Sequence, residues 1–476
     1  MTKFCTGLLL CISFFSYSQK KAFNISQTYS VEQVYQDIDY TTKYLQKFHP
    51  DPYRYISKDS LNAFALKTKE KIKTPQTEMQ LRFYLKQIVA KIGCGHTDVT
   101  ASKTYAKALQ KINRPIFPIN AFVVDTNRVF VLNNLSTDSI IKQGDEIISI
   151  DNKPINKVLQ TIYSIYTTDG FNETYKKQGV KNDLFKYYYC FSYGFKPTYS
   201  ISLKQENGTV YTTTLSSIST QKDTLILPKI QKPTYIQKTK SCFYFKDKND
   251  TSLAIIDINR FGGRGWRKFM RKTFKHIRKN NIQKIALDLR DNGGGQIGDG
   301  LNMLSYLIHK PFTLLYDRKS NLLPFNPRLK MGFFTRITPI LFSLSPVQWW
   351  HKGKLRHCMV QLPKKRNAYN GKLFVLINGK SFSMSCIATS YLKYKANATI
   401  IGEETGGNVA GSNAMISGTL VLPNSKVRVF IPLYHIYHNI DVTNNAHGII
   451  PDIKTNYTAD DILNSIDLDL EEVLKK

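Results

Sequence analysis

Ser383 lies in the run Ser381-Phe382-Ser383-Met384-Ser385-Cys386-Ile387-Ala388, which follows the apolar stretch Leu373-Phe374-Val375-Leu376-Ile377. A serine at the first turn of a helix leaving a buried strand is well placed for nucleophilic attack. The helix N-terminus supplies unbonded N–H groups and the positive end of a dipole for a developing oxyanion. Ser381 and Ser385 compete for the role, and serine is also a good helix cap. A serine hydroxyl is a weak nucleophile that needs a base within hydrogen-bond reach. Of nine histidines, His96 in Cys94-Gly95-His96-Thr97 has the most suitable surroundings, a turn just past a predicted helix. An isolated histidine is more often structural than catalytic, so spacing leaves its role open. A third segment, Ile285 to Gly295, reads as a strand closing in a triple-glycine turn, where a backbone can approach another group closely. Together these three distant segments read as a serine hydrolase.

The elements that must position these residues divide the chain. With 476 residues, 42% of them hydrophobic, two or three domains with a sizeable core are expected. Residues 1–18 have a basic start, a short apolar stretch from Leu8 to Phe15 and small residues before Gln19. This predicts a cleaved signal peptide and an exported protein of the periplasm, cell surface or medium. Residues 25–112 are predicted to be helical and to carry His96. Residues 115–220 change to short strands with turn residues between them. The α/β core is predicted over 235–460, where strands Leu253–Ile258, Ile282–Leu289, Leu373–Asn378 and Ala398–Ile401 alternate with helices 265–280, 297–308 and 383–394. That alternation implies a mainly parallel sheet. Within the core, residues 311–370 form an insert. Its apolar run from Met331 to Trp350 suits a lid, a core subdomain or a membrane-surface contact; Pro and Arg argue against a span.

Composition excludes several classes. The five cysteines beyond the leader, Cys94, Cys190, Cys242, Cys358 and Cys386, are widely spaced and lack C-x-x-C, so buried free thiols are expected and no zinc site or disulfide framework. No metal or organic cofactor is implied. The formal charge of +32 arises from lysines scattered along the whole chain. That pattern is a compositional bias rather than a nucleic-acid patch, and protein or peptide partners are expected instead.

Two resemblances sharpen this reading. The run from Ile140 to Ile155, with its Gly144-Asp145 turn, resembles part of a PDZ domain, which adds a peptide strand to a sheet edge; an ordinary hairpin in a small β domain is the alternative. More specifically, Asp288-Leu289-Arg290-Asp291-Asn292-Gly293-Gly294-Gly295 resembles the D-L-R-x-N-x-G-G signature of the tail-specific, or C-terminal processing, serine proteases. The Ser381–Ala388 run resembles their nucleophile segment. Ile401 to Gly407 is similar to the following G-E-x-T-x-G block, and Gly448 to Ile453 to the closing G-x-x-P-D-I. Gly95-His96-Thr97, with His49-Pro50 upstream, resembles the branch that includes the tricorn core protease.

The resemblance implies an α/β core of ClpP/crotonase-like fold with a helical N-terminal region and a PDZ-like β module. It implies peptide hydrolysis through an acyl-enzyme on Ser383, with His96 as base and the N–H groups of Gly294 and Met384 as oxyanion hole. Members of the Ser-Lys type carry lysine 25 residues after the nucleophile; here Asn408 stands there and cannot act as a base. The tricorn-like branch also places a serine before the histidine, where this chain has Gly95, and uses a downstream acid, for which Asp441 is the candidate. Cys386 stands where the family often has Glu. The rival expectation from the same fold is a non-catalytic lipid- or peptide-binding protein, as in interphotoreceptor retinoid-binding protein.

Overall fold

The computed structural model describes residues 23–476 except 126, 227–233, 248–249, 251, 319–326, 333–346, 352–353 and 444–445. The predicted leader, residues 1–18, and most of the apolar run of the insert lie outside the described residues.

The core grows from β-branched and aliphatic strands with no polar face, as expected for a sheet covered on both sides. Its seven strands run in the order Gln237–Lys238, Cys242–Lys246, Leu253–Ile258, Lys284–Asp288, Lys372–Ile377, Thr399–Gly402 and Ile453–Lys454. From Leu253–Ile258 onward every pairing is parallel, while Cys242–Lys246 adds antiparallel to the edge. Helix Trp266–Lys279 buries Trp266, Phe269, Met270, Phe274 and Ile277 against this sheet. Its basic residues Arg267, Arg271 and Lys275 face solvent, so this stripe of charge is a solvated face. Helices Ile297–Leu307 and Met384–Ala396 pack against each other and complete the same core. The arginine of the D-L-R segment is structural. Arg290 bridges Asp288, Asp467 and Asp469, and so fastens the C-terminal helix Leu468–Leu474 to the sheet.

A second sheet stands beside the first. Strands Gly411–Val421 and Arg428–His438 form a long hairpin, flanked by Phe312–Arg318, Lys354–Gln361 and Gln348–His351 on one side and Leu329–Lys330 on the other. The short strand Asp98–Thr100, directly after the Cys94–Thr97 turn, pairs with Arg428–Phe430 of that hairpin. The N-terminal helices Val31–Phe48, Lys58–Glu70 and Glu78–Ala90 pack on the same hairpin through a shared apolar cluster. Asp37, fully buried in the first helix, accepts hydrogen bonds from the Asn424 and Ser425 N–H groups at 3.0 and 2.9 Å, which fixes the docking angle.

Residues 115–219 form an antiparallel sheet in the order Val210–Ser216, Thr198–Lys204, Glu146–Ile150, Arg128–Asn134, Ile119–Val124, with its own apolar core. Pro115–Ile116 pairs with Ile218–Ser219 and closes the two ends of the segment. Three helices interrupt the strand pattern: Ile155–Ser164, Thr174–Gly179 and Leu184–Tyr193. They form because Val158, Leu159 and Ile162, then Phe185, Tyr189 and Cys190, recur at helical spacing and are buried.

Candidate active site

The nucleophile segment begins where strand Lys372–Ile377 leaves the sheet. Ser383 caps helix Met384–Ala396 with φ 56° and ψ −118°, a conformation costly for a residue with a Cβ. Its neighbours explain why this strain is held. Ser381 Oγ donates to Leu289 O at 2.7 Å and accepts from Asn378 N at 3.0 Å. Ser385 Oγ donates to Asn292 O at 2.8 Å. Both hydroxyls are therefore buried structural pins between the helix start and the glycine turn. Ser383 is the partly exposed member of the three, and its hydroxyl has no hydrogen-bond partner among the described residues.

The glycine turn packs directly onto this serine. Gly294 has φ +101°, and a Cβ there would stand 2.7 Å from Ser383 Cβ and 2.9 Å from Met384 N, so neither the backbone nor the space admits a side chain. The two predicted oxyanion donors are thus adjacent but not equivalent. Met384 N–H sits in the first turn of the helix, unbonded among the described residues. Gly294 N–H donates to Asn292 Oδ1 at 2.9 Å inside its own turn.

His96 reaches the same place from the N-terminal region. Helix Glu78–Ala90 on one side and strand Asp98–Thr100 on the other hold its turn. The His96 ring lies on Phe382, centroids 4.6 Å apart at 32°, and Tyr175 stacks on Phe382 at 4.8 Å and 28°. The base candidate therefore touches the residue preceding Ser383; among the described residues no hydrogen bond yet joins the two. Burial pushes the imidazole down to about 4, and its Nδ1 is buried without a hydrogen-bond partner among the described residues. The absence of a serine before His96 has a steric cause, since a Cβ on Gly95 would lie 2.7 Å from Phe382 Cζ.

Asn408 is buried, and its side-chain oxygen accepts from Ala410 N at 2.8 Å, a turn-closing role. Cys386 is a buried thiol donating to Gly407 O at 3.1 Å; burial pushes its pKa upward, so it fastens the 405–408 loop rather than acting as an acid. The other four cysteines are also free and buried. The motif residues after the nucleophile interlock: Gly448 N donates to Glu404 Oε1 at 2.7 Å and Ile449 N to Thr405 Oγ1 at 2.8 Å. Asp441 lies exposed on a bend after the long hairpin, with no hydrogen bond to His96 among the described residues.

One residue near His96 is absent from the sequence-level site. Asp169, 3% exposed, accepts from Gly95 N at 2.8 Å. It belongs to the 115–220 segment, and its loop is stitched to both sides of the site. Gly170 N donates to Gly93 O at 3.0 Å, and Asn172 Nδ2 donates to Thr405 O at 2.9 Å. Nothing in Thr167-Thr168-Asp169-Gly170 marks it beyond an ordinary Asp-Gly turn.

Comparison with known proteins follows from this geometry. Residues 252–455, which span the glycine turn, the nucleophile turn and both later motifs, match the model of peptidase family S41. Over these residues the core is similar to peptidase family S41, and the protein is a serine peptidase. A search of curated proteins finds no match. Among solved structures, mature CPAF shares the fold with TM-score 0.64, 16% identity, and coverage of 94% of this chain and 96% of that one. CPAF complexed with lactacystin gives 0.63, 15%, 94% and 97%. The photosystem II D1 C-terminal processing protease aligns at TM-score 0.43 and 14% identity over 93% of this chain and 96% of its own. His96 lies outside the residues of the S41 match.

Proposed function

We propose that the protein is an exported endopeptidase that cleaves protein or peptide substrates by a Ser-His mechanism. Ser383 attacks the scissile carbonyl, His96 takes its proton and returns it to the leaving amine, and water then releases the acyl group. Met384 N–H receives the oxyanion. Gly294 N–H is the second donor, and its bond to Asn292 Oδ1 must then be shared or exchanged. Asp441 is the sequence's candidate for the acid that orients the base. The observation that carries the reading is the pairing of a strained serine, its hydroxyl unbonded, with a histidine stacked on the adjacent ring. A neutral imidazole, kept so by burial, is a proton acceptor over the whole physiological range.

Residues 115–220 are proposed to be the PDZ-like module, selecting peptide tails by strand addition. The apolar insert, whose described Trp349 is 51% exposed, is proposed to touch a membrane surface. The decisive experiment treats the wild type and Ser383→Ala with a fluorophosphonate probe and a labelled casein substrate. Labelling and hydrolysis by the wild type alone support the proposal. Lactacystin, found in the complex with CPAF, is a second probe of the same pocket. A wild type that binds peptide yet is neither labelled nor active would make the chain a carrier and overturn it.

A further inference from the structure

We propose that Asp169 is the positioning acid of this site: its buried carboxylate holds the Gly95 N–H and thereby sets both the placement and the proton affinity of His96. This rests on the reading of Ser383 and His96 as nucleophile and base. Two buried, unpartnered atoms carry the inference. Asp169 Oδ1 accepts from Gly95 N at 2.8 Å, whereas its Oδ2 is buried with no hydrogen-bond partner among the described residues. His96 Nδ1, one residue beyond Gly95, is likewise buried and unpartnered. A buried carboxylate oxygen left unpaired is costly, and native folds keep such atoms where another state uses them.

The catalytic cycle supplies that state. When His96 accepts the Ser383 proton, the imidazolium carries an N–H on each ring nitrogen, and the Nδ1 side then needs an acceptor and a counter-charge. Asp169 stays ionised throughout; the proton passes from Ser383 Oγ to the imidazole and then to the leaving amine.

Other groups share the field of this carboxylate. Arg54 and the Gly95 and Asn408 N–H groups favour its ionised form. Tyr55, Cys94, Tyr175 and Cys386 face it as neutral groups whose ionisation it opposes. Burial raises its own pKa to about 6, so the charge is present at neutral pH. The loop that carries it belongs to the 115–220 segment, so that segment contributes to the site itself and not only to a surface beside it.

The test compares Asp169→Asn, Asp169→Ala and Asp441→Asn in the full chain, with Ser383→Ala as control. Asn keeps an acceptor for Gly95 N–H and removes the charge. The expected result is a fall in kcat of about 100-fold with KM within about twofold, smaller than the roughly 10,000-fold loss where an acid bonds the base directly. The wild type shows a partial loss of kcat near pH 6, where Asp169 takes up its proton, and Asp169→Asn, which has no carboxylate to titrate, lacks that step. The His96 ring signals followed by NMR show the same step near pH 6 in the wild type and not in Asp169→Asn, which needs no substrate. A wild-type kcat with the step near pH 6 retained in Asp169→Asn would overturn the proposal, as would changes confined to Asp441→Asn. Should Asn not fold, Asp169→Ser carries the same comparison, and failure of both to fold reduces Asp169 to a structural tether and ends the proposal. Activity persisting in Ser383→Ala would instead defeat the nucleophile assignment, a separate result.

Discussion

Gly95→Ala tests how tightly the base is fitted to the nucleophile. The new Cβ would stand 2.7 Å from Phe382 Cζ and 3.0 Å from Cε2, against an ordinary carbon contact of about 3.5–4.0 Å. The ring must therefore retreat by close to 1 Å. It has little room to do so, because Tyr175 and His96 stack on it and Phe382 is only 5% exposed. Overpacking of this kind costs about 1–3 kcal/mol of stability. Phe382 is bonded to Ser383, so a shift of this size at the reacting groups is expected to lower kcat about 100-fold. The backbone at Gly95 is not in the left-handed region, so strain in the chain does not contribute. A double-mutant cycle separates the cause: Phe382→Leu shortens the side chain at the point of collision. Gly95→Ala should then cost about 1–2 kcal/mol less in the Phe382→Leu background, read by urea denaturation, with kcat followed on the same proteins. An unchanged kcat and midpoint in Gly95→Ala, or an equal loss in both backgrounds, would refute the steric argument and reopen the absence of a serine at position 95 as a loss of chemistry.

Two further outcomes follow from the same geometry. Ser381→Ala and Ser385→Ala should each remain reactive toward a fluorophosphonate while losing about 1–3 kcal/mol of stability, because Leu289 O and Asn292 O lose their buried donors; loss of labelling with unchanged stability would contradict the structural role given to them. Burial holds the His96 imidazole near 4, below its ordinary value of about 6.5. The base is then neutral down to about pH 4–5; kcat/KM should fall partly near pH 6 as Asp169 is protonated and lose the rest only as acid protonates His96 near 4, and a complete loss at pH 6–7 that persists in Asp169→Asn would show that water reaches the ring freely.

The parts of this molecule that were legible in the sequence are those whose cause is local. Leu253–Ile258 is a strand as read, because five of its six residues are apolar, broken only by Asp257, which suits a sheet covered on both faces. Helix Trp266–Lys279 follows from the period of its large side chains. The serine turn and the glycine turn are legible because Gly294 has to be glycine and Ser383 stands where an apolar strand gives way to a helix. What stayed hidden depends on tertiary contact. The helices inside residues 115–219 were obscured by aromatic residues such as Phe185 and Tyr189 that suit strands equally well. The pairing of Asp98–Thr100 with Arg428–Phe430 joins residues 328 to 332 positions apart, and three residues carry no register of their own. Asp169 looked like a turn residue because its partner, the Gly95 N–H, is supplied by another part of the chain.

These hidden contacts bear directly on how the site works. Ser383 lies in the core that matches the S41 model, His96 follows the N-terminal helices and Asp169 lies in the 115–220 segment, so no single unit contains all three residues of the proposed site. The proposed base, His96, is held by four restraints: the strand Asp98–Thr100 on the hairpin, the Phe382 ring beneath it, the Asp169 carboxylate on Gly95 N–H, and the Gly170–Gly93 backbone bond. Two of the four come from a segment that also pins the Thr405 loop beside Cys386. A displacement of that segment therefore acts on the base and on the wall behind the nucleophile together. If this segment takes a peptide at its sheet edge as proposed, the binding would be felt at both places through hydrogen bonds rather than through a long chain of packed side chains, a direct physical route from the proposed module to the chemistry.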